Sequence, residues 1–126
     1  AIKSGESFKD FGSDNPTPDG TCVRDYVDVV DLAGVHIDAL RYLDKNHVLI
    51  SNVGIGEGYS VREVLNAVQD VFGVLPKIEG GMRRDGDPAR LVADDKNFRS
   101  WCGRPMKKLR ASLETLKKAP YFISKV

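Results

Sequence analysis

Residues 48–73, VLISNVGIGEGYSVREVLNAVQDVFG, decide the fold class. Val48 to Val53 is a short apolar run and predicts a strand. Ser60-Val61-Arg62-Glu63 has the form of a capping box, in which the serine and the glutamate satisfy each other's main-chain N–H. Behind it Val61, Val64, Leu65, Val68 and Phe72 recur at helical spacing, and Gly73 is placed to end the helix. A strand, a glycine turn and a helix in that order make an α/β unit.

The turn itself, Gly54-Ile55-Gly56-Glu57-Gly58, stands where a dinucleotide-binding loop would stand. That fingerprint needs its third glycine where Tyr59 is, and no second strand follows to supply the ribose-binding acid. A tight strand-to-helix turn is the favoured reading and a cofactor loop the weaker one.

Working outward, Val23 to Val30 alternates and predicts a strand, after which Asp31 can cap a helix carrying Leu32, Val35, Ala39, Leu40 and Leu43. That helix should stop near Lys45-Asn46. Ser4 to Thr21 is rich in Gly, Ser, Asp, Asn and Pro and reads as an irregular loop. Lys77-Ile78 predicts a third strand, followed by a polar loop over Gly80 to Arg90. A helix from Asp94 to Trp101 should end at Gly103, and a last helix from about Ser112 must break before Pro120. The fold class expected is α/β, a small domain of short strands alternating with helices. Residues 1–126 read as one domain, loop-rich over 1–21 and basic towards the end.

Composition agrees with a folded domain: 126 residues, 41% hydrophobic, 29% charged and a net charge of +1. No apolar run approaches a membrane span, and no basic-then-apolar leader stands at the start, which opens on Ala1. Cys22 and Cys102 cannot make a disulfide framework, and with only His36 and His47 there is no zinc spacing. Reduced thiols in a cytoplasmic protein are expected, and no metal. The charge is divided. Residues 1–70 hold 6 Lys/Arg against 12 Asp/Glu, and residues 71–126 hold 13 against 6. A basic anion-binding surface, attraction between the halves and head-to-tail pairing of two copies all fit that division.

Three places hold chemistry. Arg83-Arg84-Asp85-Gly86-Asp87-Pro88 puts two guanidinium forks and two carboxylates in one turn-prone loop, either a solvated surface or a site for phosphate and ribose hydroxyls. Arg24-Asp25-Tyr26 inside a predicted strand invites an edge position or a binding face. Arg99 to Val126 holds eight Lys/Arg and one acid, Glu114. A solvated helix face is favoured there over a nucleic-acid surface, because no recognition module accompanies the charge. His36 falls on the apolar side of its helix and reads as a packed core residue. Tyr42 and Lys45 fall one residue short of a Tyr-x-x-x-Lys pair, and no catalytic residue is expected.

Pro16-Thr17-Pro18-Asp19-Gly20-Thr21-Cys22-Val23-Arg24-Asp25-Tyr26-Val27, with Val29-Val30-Asp31-Leu32-Ala33 and His36, resembles the C-terminal part of NAD-dependent UDP-glucose 4-epimerases, in the extended short-chain dehydrogenase/reductase group. Asn52 to Val61 is similar to the family's Asn-Leu-Gly-x-Gly-x-Gly-x-Ser-Val turn, and Arg83 to Asp94 to its substrate loop. The resemblance runs from about Phe11 to Asp94 and weakens over 95–126. Three departures stand out: Asp28 occupies the position of a family histidine, Pro120 interrupts what is usually a longer terminal helix, and the opening loop lacks the family's preceding helix and strand.

The resemblance implies a substrate-nucleotide site in which Arg24 and Arg84 hold the diphosphate, Asp87 the uridine ribose, Tyr26 faces the nucleotide-sugar pocket and Val61 lies beside the uracil. It implies UDP or a UDP-sugar as ligand. NAD is the family's cofactor, but the resembling stretch contains neither the Gly-x-x-Gly-x-x-Gly loop nor the catalytic Tyr-x-x-x-Lys, so no cofactor and no epimerase activity are expected of this chain alone. The strand at Val48 to Val53 would pair with the family's large parallel sheet, and its free edge implies a homodimer or docking on another chain. The rival expectation is a non-catalytic interaction module, or one subunit of a split epimerase.

Overall fold

The computed structural model describes residues 1–2, 4–45 and 47–119. In chain order the elements are β1 (Phe8–Phe11), β2 (Val23–Arg24), α1 (Val29–Leu43), β3 (Tyr59–Ser60), α2 (Val61–Phe72), β4 (Ile78–Gly81), β5 (Arg90–Leu91), α3 (Lys96–Trp101) and α4 (Leu109–Lys117). The expected α/β class is what the chain adopts. Two small sheets carry it. Strands β1 and β4 pair in parallel, Phe8 opposite Ile78 and Phe11 opposite Gly81. Strand β2 lies between β3, to which it is antiparallel, and β5, to which it is parallel.

Helix α2 follows its sequence signature closely. The Ser60 hydroxyl accepts from Glu63 N–H at 3.1 Å, and the Glu63 carboxylate accepts from Ser60 N–H at 2.7 Å. Gly73 ends the helix with φ of 73°, a left-handed conformation that glycine adopts without a Cβ clash. Helix α4 packs on α2, and Lys117 Nζ donates to the Val71 carbonyl at 2.6 Å, placing a cation at the helix's negative end.

Helix α1 corrects the reading of its start. The strand predicted over Val23 to Val30 stops at Arg24, and the helix begins at Val29 with Asp28 as its cap, not Asp31. The Asp28 carboxylate accepts from Val30 and Asp31 N–H at 2.8 and 3.1 Å. Asp31 instead turns inward and accepts from Lys107, through Nζ at 2.6 Å and the main-chain N–H at 2.7 Å. Asp28, a departure from the family pattern, is thus the residue that starts the helix.

A second correction concerns Val48 to Val53, which form no strand; among the described residues nothing ladders with them. Side chains of α3 hold them instead: Asn97 Nδ2 donates to the Ile50 carbonyl at 2.5 Å and Trp101 Nε1 to Ser51 Oγ at 3.1 Å. His36 is exposed, its Nδ1 lying 2.8 Å from the Leu32 carbonyl, because only Val35 of the neighbouring apolar positions reaches the core. That core is Val35, Phe98 and Cys102, edged by Val53, Trp101 and Met106.

Further boundaries move. The Ser4 to Thr21 stretch contains β1, and the Gly80 to Arg90 loop is entered by β4 and left by β5. Helix α3 begins at Lys96 rather than Asp94, with Cys102 as its cap, and α4 begins at Leu109 rather than Ser112. Helix α4 ends at Lys117; Pro120 lies outside the described residues.

Candidate functional site

Strand β2 is the spine of the site. Its two residues are clasped on both edges, Val23 by Ser60 and Arg90, Arg24 by Tyr59 and Leu91. The Ala89 carbonyl accepts from Val23 N–H at 2.8 Å, and the Cys22 carbonyl accepts from Val61 N–H at 3.1 Å. The second bond fixes the start of α2, with Val61, beside the strand that carries Arg24.

The turn before this strand locks it further. Asp19 accepts from Thr21 through N–H and hydroxyl at 2.9 and 2.7 Å, and from the Ser60 hydroxyl at 2.5 Å. Burial works to raise its pKa, but the donors from Ser60 and Thr21 outweigh it and hold Asp19 below the usual aspartate range. Asp28 shows the same balance: burial raises, while Asp31 and Val30 N–H and the Lys107 ammonium lower it further. A carboxylate depressed in the folded state stabilises above its unfolded pKa and loses that contribution as pH falls through the folded value. Urea midpoints should therefore hold between pH 7 and 5 and drop below about pH 4. Asp28→Ser keeps a cap and removes only the charge at the helix N-terminus, and should cost about 0.5–1 kcal/mol at pH 7. The gap between variant and parent should narrow as pH falls below about 4; an unchanged gap would mean that the Asp28 charge plays no part.

Asp25, between Arg24 and Tyr26, does something the sequence did not disclose. Its carboxylate accepts N–H bonds from Ile55 at 3.1 Å, Gly56 at 3.2 Å and Ala93 at 3.3 Å. The glycine turn therefore gives its amides to an aspartate of the same chain. Close approach explains the glycines. A Cβ on Gly54 would come within 2.5 Å of Ala93 Cβ and of the Asp25 carboxylate, and one on Gly58 within 2.6 Å of side chains of Val92 and Val23. These glycines seat the turn against β2 and the residues after β5; the turn is tight, as expected, but among the described residues no strand leads directly into it.

The predicted site residues come together in part. Arg24 Nη2 donates to Asp87 Oδ1 at 2.5 Å across 63 positions of sequence, and Arg24 Nη1 to the Val23 carbonyl at 2.8 Å. Arg84 belongs to the same turn as Asp87, whose N–H donates to the Arg84 carbonyl at 3.3 Å. The Arg84 guanidinium lies over the Phe11 ring, 3.9 Å from its centroid. Tyr26 is half-buried, and burial pushes its hydroxyl pKa up, with the Cys22 thiol adding to the shift and Arg24 opposing it.

Phe11 is the residue the sequence reading missed. Its register opposite Gly81 brings the end of β1 to the Arg83-Arg84 loop, and Gly12 comes close to Arg83. The signal was an aromatic before a turn glycine, visible only once β1 is known to pair with β4.

Arg24, Arg84 and Asp87 occupy an open face. A concavity of about 610 Å³ lies elsewhere, between the end of α1 and Trp101 to Pro105. Among the described residues no three His, Cys, Asp or Glu side chains converge as a metal site would require. A Tyr-x-x-x-Lys spacing does occur at Tyr121 and Lys125, which the sequence expectation passed over. Both lie outside the described residues, in the weakly resembling tail, and the spacing carries no assignment.

Comparison with known proteins follows the same lines. No family model matches the chain. A UDP-glucose 4-epimerase of Lacticaseibacillus casei is 48% identical over 94 residues, 74% of this chain and 28% of that enzyme. The crystal structure of UDP-glucose 4-epimerase from Brucella ovis in complex with NAD superposes with a TM-score of 0.81 at 34% identity, covering 92% of this chain and 36% of that one. The Bifidobacterium longum enzyme, in complex with NAD⁺ and UDP, superposes with a TM-score of 0.75 at 36% identity, covering 93% and 36%. The chain thus spans a fifth to a third of the length of the curated relatives it matches. Over that span, in sequence and in fold, it belongs to the UDP-glucose 4-epimerase family of the extended short-chain dehydrogenase/reductase group.

Proposed function

We propose that this chain carries the nucleotide half of an epimerase substrate site and binds UDP or the UDP moiety of a UDP-sugar, without catalysing epimerisation alone. The observation that carries this reading is the meeting of Arg24 with Asp87 in a turn that also holds Arg84. Arg24 and Arg84 are the forks for the two phosphates, and Asp87 is the acceptor for ribose hydroxyls. Tyr26 and Val61 flank the same strand and would border the bound nucleotide, and the Phe11 ring offers a flat apolar surface beside Arg84. NAD belongs to the family's chemistry and is not assigned a place on this chain.

Calorimetry with UDP, using NAD as control titrant, tests the proposal. Half a pocket should bind UDP with Kd on the order of 0.1–1 mM and give no heat with NAD. No heat with UDP at millimolar protein would remove the assignment.

A second reading, an oligomerising or docking module, is supported by a different observation. Val29, Ile37 and Leu40 of α1 are 76, 52 and 66% exposed, and Val48 and Ile50 72 and 83%. Apolar side chains this open on one helix and the segment after it favour coverage by another surface. We propose a homodimer in the cytoplasm. Light scattering at 50 µM-scale concentrations should give twice the 13.9 kDa chain mass. A clean monomer would end this reading, and co-purification with a chain bearing a Gly-x-x-Gly-x-x-Gly loop would replace it with a split epimerase. Among the described residues no helix is long and apolar enough to cross a membrane.

A further inference from the structure

Both ends of the Arg24 guanidinium are engaged within the chain. The Arg24 and Asp87 side chains, 22 and 36% exposed, form an ion pair at 2.5 Å, and the other guanidinium nitrogen is tied to the Val23 carbonyl. The Asp87 main chain is held in its turn, because its N–H is bonded to the Arg84 carbonyl and Pro88 follows it, so the carboxylate stays within reach of Arg24. A phosphate arriving at Arg24 therefore meets a carboxylate of like charge competing for the same donors.

We propose that Asp87 is the counter-ion of Arg24 and thereby selects ligands that carry a vicinal diol as well as a diphosphate. The proposal rests on the reading that Arg24 holds phosphate and Asp87 ribose. Inorganic phosphate or pyrophosphate can take Arg24 only by leaving Asp87 without its cation and close to a new negative charge. A nucleoside diphosphate does the same to Arg24 but returns two hydroxyl donors to the released carboxylate. Every anion meets the same competitor, and only the diol-bearing one offers Asp87 a replacement partner. Phosphate affinity and ribose recognition are thus coupled through one side chain, and an open face can discriminate against free phosphates without enclosing its ligand.

The neighbouring cation does not relieve the competition. Arg84 shares the turn with Asp87, but its guanidinium is stacked on Phe11, and the ion pair joins Asp87 to Arg24. Arg84 remains the more accessible fork, so a bare anion should meet it first and Arg24 second.

Calorimetric titration of the full chain and of Asp87→Asn with pyrophosphate and with UDP, at one fixed low ionic strength, tests the coupling. Asparagine keeps the size of the side chain and removes its charge. Asp87→Asn should bind pyrophosphate about three- to tenfold more tightly than the parent, as expected when a partly exposed competing charge is removed. The preference for UDP over pyrophosphate should shrink by at least that factor. Asp87→Ser, smaller and also neutral, should show the same direction if asparagine disturbs the turn. UDP bound by the parent, with pyrophosphate affinity unchanged or weaker in both variants, would overturn the counter-ion role and leave the nucleotide reading standing. Neither ligand bound by the parent or by either variant would overturn both.

Discussion

Asp25→Ala should destabilise the chain by about 2–3 kcal/mol, the sum of roughly 1 kcal/mol for each of three hydrogen bonds removed from a partly buried carboxylate. The donors it would abandon are the N–H groups of Ile55, Gly56 and Ala93. These amides belong to two segments that the carboxylate ties together, the glycine turn before β3 and the stretch after β5. Gly54 has room for no side chain at that junction, so relaxation cannot bring another acceptor in from the turn. Loss of the carboxylate is therefore expected to loosen three segments at once. In a domain of this length the change corresponds to a fall in Tm of about 6–15 °C, read by circular dichroism. Asp25→Asn should fall between, because one amide oxygen can still accept while the NH₂ group cannot. A loss below 0.5 kcal/mol for the alanine variant would show that water satisfies the three amides equally well.

The local signals of the sequence were those that a few adjacent residues complete among themselves. Ser60 with Glu63 and Gly73 at the end of α2 are such devices, and the structure uses each as written. The α/β class rested on them together with a strand at Val48 to Val53 that does not form, and it holds through other strands, β1 to β5. The misreadings arose where the outcome depends on residues distant in sequence. Val23 to Val30 alternates like a strand, but β5 and β3 offer partners only to Val23 and Arg24, and the Asp28 cap wins the remainder for α1. Val48 to Val53 has strand composition and finds no ladder among the described residues. Propensity selects a conformation only where a partner exists to reward it. Phe8 to Phe11 shows the converse, a strand inside loop-like composition because Ile78 to Gly81 lies alongside. The site divides in the same way. The resemblance implied Arg24 and Asp87, and the structure joins them across 63 positions. Phe11 and Asp25 needed the register of β1 and the seating of the glycine turn, neither of which is written locally.

Arg24→Ala should weaken UDP binding more than Arg84→Ala, although each removes one guanidinium. A charge-assisted contact to phosphate is worth about 1.5–3 kcal/mol when sheltered, a loss of about 10- to 150-fold. Arg84 lies on the open side against Phe11, where screening brings its loss to the low end, about tenfold. Arg24 is the more sheltered of the two, and its removal also leaves Asp87 uncompensated beside the position the diphosphate would take. From a parent Kd on the order of 0.1–1 mM, that combination takes Kd to about 10 mM or beyond, a range followed by NMR titration rather than by the heat of binding. Arg24→Lys keeps the charge but not the fork, and should recover binding only in part. The double variant Arg24→Ala/Asp87→Asn separates the two contributions. If the stranded carboxylate matters, the double variant binds UDP more tightly than Arg24→Ala alone, a non-additivity that two independent contacts cannot produce. If the double variant is the weaker by the sum of the single losses, Arg24 and Asp87 act separately on the ligand and their ion pair has no bearing on its binding.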